Sequence, residues 1–180
     1  MLLDAARSAL LVVDIQERLA PAIAENEQVV ARTRILIEAA RRLAVPILVS
    51  EQYPQGLGHT IEALRPLPND AQVIAKTAFS AAREPMFMQA LQSLDRRQLV
   101  VCGMETHVCV LQTAVDLADQ GFAVNVAADA VGSRHYARRE LGLARMRQAG
   151  CGIVDSEMVV FEWVGAADSD DFRALSKMIR

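Results

Sequence analysis

The chain has 180 residues, 52% hydrophobic and 4% aromatic, which is enough for one well-buried core and short for two domains. Its formal net charge of −3, from 19 basic and 22 acidic residues spread along the sequence, forms no block of like charge, so nucleic acid is not an expected partner. No apolar run approaches the roughly 20 residues of a membrane span, and an acid stands in Met1-Leu-Leu-Asp4 where a secretory signal is basic. The expectation is a single domain over 1–180 with no membrane partner. Three cysteines, at 102, 109 and 151, show neither disulfide-framework nor metal-type pairing, which fits a reducing cytoplasm.

In chain order, short β-branched runs alternate with longer helical patterns. Ser8-Ala-Leu-Leu-Val-Val-Asp14 is apolar on both faces, as a strand covered on each side must be, and it ends in an acid. Val29, Val30, Thr33, Ile37, Ala40 and Leu43 recur near helical spacing over 26–44, with Asn26 as N-cap and Pro46 beyond the end. A second strand over 46–50 runs into a loop, 51–58, marked by Pro54, Gly56 and Gly58. A third, 72–76, ends in Lys76, and Pro85 opens a short helix over 85–95. The fourth strand, 98–103, leads into a helix from Val108 to about Gln120, which Gly121 stops. A strand over 123–129, a helix over 135–149 closed by Gly150, and a strand over 152–155 complete the alternation. The segment 156–163 is ambiguous by period, and the chain becomes helical again after Asp168.

Such alternation predicts an α/β fold: three layers, a mostly parallel six-stranded sheet with right-handed crossovers, and helices on both faces. Ligands in such sheets bind beyond the carboxyl ends of the strands, where strand order reverses. Asp14, Lys76 and the turn before Cys109 all fall at carboxyl ends, so the three are expected to face one crevice. There a thiolate at Cys109 attacks a carbonyl carbon, Asp14 carries the proton, and Lys76 supports both electrostatically. A position at a helix N-terminus is expected to lower the thiol pKa and to supply amides for an oxyanion. Each residue also has an ordinary use: a small core cysteine, a turn-forming aspartate, a solvated lysine. Gln16, Tyr53, Leu57, Phe79, Glu105, Thr106 and His107 lie on loops expected to rim the crevice and bind a small-molecule substrate, although Gln16 also suits a turn and Thr106 an N-cap. His59, His107 and His135 lack ligand spacing, so no metal is expected. The absence of G-x-G-x-x-G after the first strand argues against a dinucleotide, and no cofactor is implied.

Val13-Asp-Ile-Gln16, Lys76-Thr-Ala-Phe-Ser80 and Gly103-Met-Glu-Thr-His-Val-Cys-Val110, in that order, resemble the isochorismatase-like cysteine hydrolases, which include nicotinamidases and N-carbamoylsarcosine amidohydrolases. The resemblance covers nearly the whole chain. Ser50-Glu-Gln-Tyr-Pro-Gln-Gly-Leu-Gly58 and Ser156-Glu-Met-Val-Val-Phe-Glu162 look most like the isochorismatase domain-containing hydrolases of unassigned substrate. It implies strand order 3-2-1-4-5-6, a catalytic triad of Asp14, Lys76 and Cys109, a cis peptide at Met104–Glu105, and an oxyanion hole from the amides of Glu105 and Cys109. It also implies a homo-oligomer, dimer or tetramer. Nicotinamidases carry an Asp-x-His metal site after the second strand, where this chain has Glu51-Gln-Tyr-Pro54, and vinyl-ether-cleaving isochorismatases commonly lack the cysteine present here as Cys109. What remains is hydrolysis of a small amide, carbamoyl or related carbonyl substrate through a thioester. Two other classes stay open: a thiol redox sensor in which Cys102 or Cys151 resolves Cys109, and a triad-bearing binding scaffold.

Overall fold

A computed structural model describes residues 1–179. Six strands form one sheet in the order β3-β2-β1-β4-β5-β6, and every adjacent pair is parallel. These are β1 (Ser8–Val13), β2 (Ile47–Gln52), β3 (Gln72–Lys76), β4 (Gln98–Met104), β5 (Ala123–Gly132) and β6 (Gly152–Val154). Among the described residues seven α-helices accompany them: α1 (Asn26–Arg42), the short α2 (Pro54–Leu57), α3 (Pro85–Ser93), α4 (Leu111–Asp119), α5 (Tyr136–Gln148), α6 (Ser156–Val164) and α7 (Asp170–Ile179).

The alternation of β1 builds two cores. Leu10 and Val12 point into one, with Leu36 and Ala40 of α1, Val159, Val160 and Trp163 of α6, and Leu175 of α7. Ala9, Leu11 and Val13 point into the other, with Phe87 and Leu91 of α3, Leu111, Ala114 and Leu117 of α4, and Leu143 and Met146 of α5. Strand-like period 2 meets helical period 3.6 on each face, the condition for a three-layer fold. The segment 156–163 is ambiguous by period because α6 is a largely buried helix. Asp155 caps it by accepting from the Met158 N–H at 2.7 Å, and the Trp163 indole donates to Ser8 Oγ at 2.9 Å in the buried layer.

Two boundaries differ from the sequence expectation in ways that matter. Asn26 is the first residue of α1, not its cap; Glu25 precedes it in the left-handed region, and the Asn26 side chain donates to the Ala20 carbonyl. Strand β2 runs two residues further than its pattern predicts, taking in Glu51 and Gln52. The chain adds strands to one side of β1 through β3, then crosses to β4 on the other side. That reversal places the carboxyl ends of β1 and β4 next to each other.

Candidate active site

Asp14 follows β1 with φ 52°, a left-handed conformation costing a non-glycine residue of order 1–3 kcal/mol. Three hydrogen bonds hold it there. Its N–H donates to the Ser50 carbonyl at 3.1 Å, Ser50 Oγ donates to Oδ1 at 2.7 Å, and Lys76 Nζ donates to Oδ2 at 2.7 Å. Both side chains of the Lys76–Asp14 pair are 0% exposed. The ammonium also faces Gln52 Oε1 at 2.6 Å and the carbonyls of Phe79 and Ala78 at 3.0 and 3.3 Å. Ser50 and Gln52 alternate along β2 onto the face that carries Lys76, so one strand serves both members of the pair.

Cys109 enters from β4. Opposite Val13 stands Gly103, with φ 125°, and a Cβ there would collide with the Val13 carbonyl oxygen. The Met104–Glu105 peptide is cis. Thr106–Val110 then forms a turn of π-helix, and regular α4 begins only at Leu111. Cys109 therefore lies inside a π turn, not at the start of an α-helix, and its residue is 6% exposed. Burial pushes its thiol up to about 12; the neighbouring Asp14 carboxylate, as a charge and as a hydrogen-bond partner, pushes the same way, against Lys76. This corrects the expectation of a lowered thiol pKa: loss of water outweighs what the turn's amides and the lysine supply.

The remaining residues divide. Tyr53 and Phe79 are more than half exposed, and the Tyr53 ring lies against Gly56. A cavity of about 150 Å³ opens between Tyr53, Ala75, Thr77 and Glu84. Gln16 does not rim the crevice: it is fully buried, and its amide bonds to Gln52 N–H, the Gln52 carbonyl and the Gly58 carbonyl at 2.7, 3.0 and 2.6 Å. Leu57 is half-buried, with its carbonyl taken by the Arg18 N–H. Thr106 is buried, and its hydroxyl has no partner among the described residues. His107 bonds through Nδ1 to Ser133 Oγ at 3.0 Å and lines a cavity of about 210 Å³ with Arg138, Leu141 and Arg145 of α5.

Glu105 carries a second fixed charge at the turn. Burial would raise its pKa, but hydrogen bonds from the Arg134 N–H and guanidinium, at 3.0 to 3.3 Å, outweigh that and hold the carboxyl below its usual range. Burial and the nearby Arg138 and Arg134 lower His107, although Glu105 opposes them. Glu51, on the other face of β2, accepts from the Thr60 N–H and hydroxyl and contacts His59 Nδ1 at 2.6, 2.8 and 2.9 Å. It lines a wider cavity of about 550 Å³ that touches neither Asp14, Lys76 nor Cys109. Among the described residues no group of three or more His, Cys, Asp or Glu could hold a metal ion.

Sequence reasoning missed Ser50, Gln52 and Arg134. Ser50 and Gln52 carried a signal in their alternation with Leu48 along one strand; Arg134 carried none.

The Isochorismatase domain family matches residues 8–158, and the chain belongs to that family. Human isochorismatase domain-containing protein 2 is 39% identical over 179 residues, covering 96% of this chain and 83% of its own length. Among solved structures, a Caenorhabditis elegans protein described as MAR1 ribonuclease is 37% identical with TM-score 0.93, covering 99% of this chain and 92% of that one. The Escherichia coli YcaC gene product, described as an octameric hydrolase of unknown specificity, is 26% identical with TM-score 0.94, covering 99% and 90%. Family and fold together support a hydrolase role. Among the described residues no helix is long and apolar enough to cross a membrane.

Proposed function

We propose that this protein is a cysteine hydrolase that cleaves a small amide, carbamoyl or related carbonyl substrate through a thioester on Cys109. The observation that carries the reading is the fully buried Lys76–Asp14 pair, 2.7 Å apart, with the buried Cys109 thiol beside its carboxylate. Burial keeps the thiol protonated, so attack needs a local base, and Asp14 is that base.

In the acylation half, the Sγ–H proton passes to Asp14 as sulfur bonds to the carbonyl carbon, and the carbonyl π pair moves onto oxygen. Amides of Glu105 and Cys109 receive that oxyanion, each donor worth on the order of 3 kcal/mol. The oxyanion collapses, the C–N bond breaks, and Asp14 returns its proton to the departing nitrogen. In the second half Asp14 takes a proton from water as hydroxide adds to the thioester carbonyl, the tetrahedral oxyanion collapses, the C–S bond breaks, and Asp14 returns its proton to the departing sulfur, restoring thiol and carboxylate. Lys76 stays charged throughout. Tyr53 and Phe79 stand at the mouth as apolar walls for the substrate.

The burial of all three groups suits a small carbonyl compound better than a polynucleotide, so RNA cleavage, the activity named for the C. elegans relative, is the second reading. The redox-sensor reading is weaker here: Cys102 sits in the opposite core from Cys109 and donates to the Leu11 carbonyl, and Cys151, although in the same core as Cys109, donates to the Ala114 carbonyl with its thiol raised by burial. By analogy with the E. coli relative the working form is a homo-oligomer, and a single domain in the cytoplasm completes the reading.

The test is intact mass of the wild type, Cys109→Ser and Asp14→Asn after incubation with a panel of amides and carbamoyl compounds, with RNA turnover followed in parallel. An acyl adduct on the wild type alone is expected. If the wild type takes up no acyl group and turns over nothing in the panel, the hydrolase reading fails.

A further inference from the structure

Gln52 is the last residue of β2 and stands in register with Lys76 on β3. Its Oε1 accepts from Lys76 Nζ at 2.6 Å, and its Nε2 donates to the Thr77 carbonyl at 2.8 Å. The Gln52 backbone is itself fixed at both its N–H and its carbonyl by the buried Gln16 amide. A continuous chain of hydrogen bonds thus runs Gln16, Gln52, Lys76, Asp14.

A fully buried ammonium–carboxylate pair has a simple escape from the cost of burying charge: one proton moves from nitrogen to oxygen, leaving an amine and an acid. In that state no carboxylate remains to take the Cys109 proton. Hydrogen bonds that favour the charged forms oppose the escape, because a carbonyl oxygen accepts from an ammonium without taking its proton. Around Nζ these acceptors are Gln52 Oε1 and the carbonyls of Phe79 and Ala78; around the Asp14 carboxylate, besides Lys76 itself and the Cys109 thiol, the donor is Ser50. Two of the three carbonyls belong to the backbone, so Gln52 is the side chain through which the sequence sets this balance. The same acceptors hold the ammonium when Asp14 takes the thiol proton and its own charge is cancelled.

We infer that Gln52 is a positioning residue for the Cys109 reaction: it keeps the buried Lys76–Asp14 pair ionised, with Asp14 ready as a base and Lys76 charged toward the anion that forms. This rests on the hydrolase reading above.

Two measurements test it without a known substrate. The first is the rate of Cys109 adduct formation with acrylamide, followed by intact mass with Cys109→Ser as the control. Sulfur bonds to the terminal carbon, and the thiol proton ends on the α-carbon. The second is the Nζ resonance after ¹⁵N-lysine labelling, which reports whether the nitrogen is ammonium or amine. Only Lys76 and Lys177 contribute, and Lys177→Arg assigns them.

Gln52→Leu removes the acceptor at similar size, and Gln52→Glu keeps an acceptor toward Lys76 while losing the donor to Thr77. In Gln52→Leu the adduct rate falls about tenfold and the Lys76 resonance moves from the ammonium toward the amine position at neutral pH, while Gln52→Glu holds the ammonium signal and a larger share of the rate. Equal losses in both variants with an unmoved resonance would make Gln52 a strut for Thr77 and overturn the inference; so would an unchanged rate in Gln52→Leu. If Gln52→Leu does not fold, loss of the ammonium signal in Gln52→Glu overturns it as well. A wild-type ammonium signal with no acyl chemistry on any substrate would instead sink the hydrolase reading and leave the charge balance standing.

Discussion

The Asp14 carboxylate is held at both oxygens, and each hold predicts a measurable loss. Ser50→Ala removes the donor to Oδ1 in a fully buried place, leaving an acceptor without its partner, a defect worth about 1–3 kcal/mol. The expected outcome is slower Cys109 adduct formation with acrylamide in a folded protein, and Ser50→Thr, which keeps the hydroxyl, recovers the rate. Equal rates in Ser50→Ala and wild type would show that Lys76 alone orients the base. Glu105 and Glu51 supply the pH prediction. Both carboxyls are held below their usual range by hydrogen bonds that outweigh burial. A depressed carboxyl contributes stability that is present above its unfolded value, about 4.3, and is lost as pH falls through the lower folded value. Thermal melts between about pH 3 and 7 should therefore show a steep acid-side decline. Glu105→Gln flattens it and lowers stability at pH 7. A variant with an undiminished acid slope would place the titration elsewhere.

Among the elements, the turn carrying Cys109 is set by glycines on two sides. Gly103 has a left-handed φ and no room for a Cβ beside the Val13 backbone, so Gly103→Ala must displace β1 from β4 at the point where Asp14 begins. A loss of 3 kcal/mol or more is expected, roughly the sum of strain and overlap, read by urea unfolding. Gly142 on α5 is subtler: a Cβ there would meet Thr106 O and His107 Cα at 3.1 Å. Gly142→Ala gains helix propensity of up to about 1 kcal/mol while pressing α5 against the turn. Stability should change little and the acrylamide rate at Cys109 should fall; an unaltered rate would show that the turn tolerates the push.

The same elements show what the sequence made readable. Asp14 and Lys76 each have an ordinary use alone and stood out together, because both close strands whose carboxyl ends the alternation brings to one crevice. Gln52 was hidden because Glu51-Gln-Tyr-Pro54 reads as polar loop, and only pairing with β3 carries β2 through it; Ser50 lay inside the expected strand but reads there as an ordinary strand end. The electrostatics of Cys109 could not be read from spacing, since the apolar pattern is the same whether the thiol is open to water or buried, and it is burial that raises it.

For the whole molecule, the parallel sheet with its reversal between β1 and β4 brings together residues 62 and 95 positions apart, 14 with 76 and 14 with 109, so the site exists only once the sheet is complete. Loss of pairing anywhere between β3 and β4 should abolish Cys109 chemistry together with folding, in one cooperative step. Assembly is the other property at this scale. Light scattering on the purified protein should give a multiple of the 19.7 kDa chain mass; a monomer at micromolar concentration would remove the oligomer from the proposed function.

The buried, protonated state of Cys109 has a consequence for survival in an oxidising encounter. Peroxide and disulfides react with thiolates, and a sulfur pushed up to about 12 presents almost none at rest. In the proposed reaction the nucleophile forms only while a carbonyl compound fills the site and Asp14 takes the proton. The expected outcome is slower peroxide oxidation of Cys109 than of an exposed thiol, followed by intact mass; equal rates would show that burial gives the sulfur no protection.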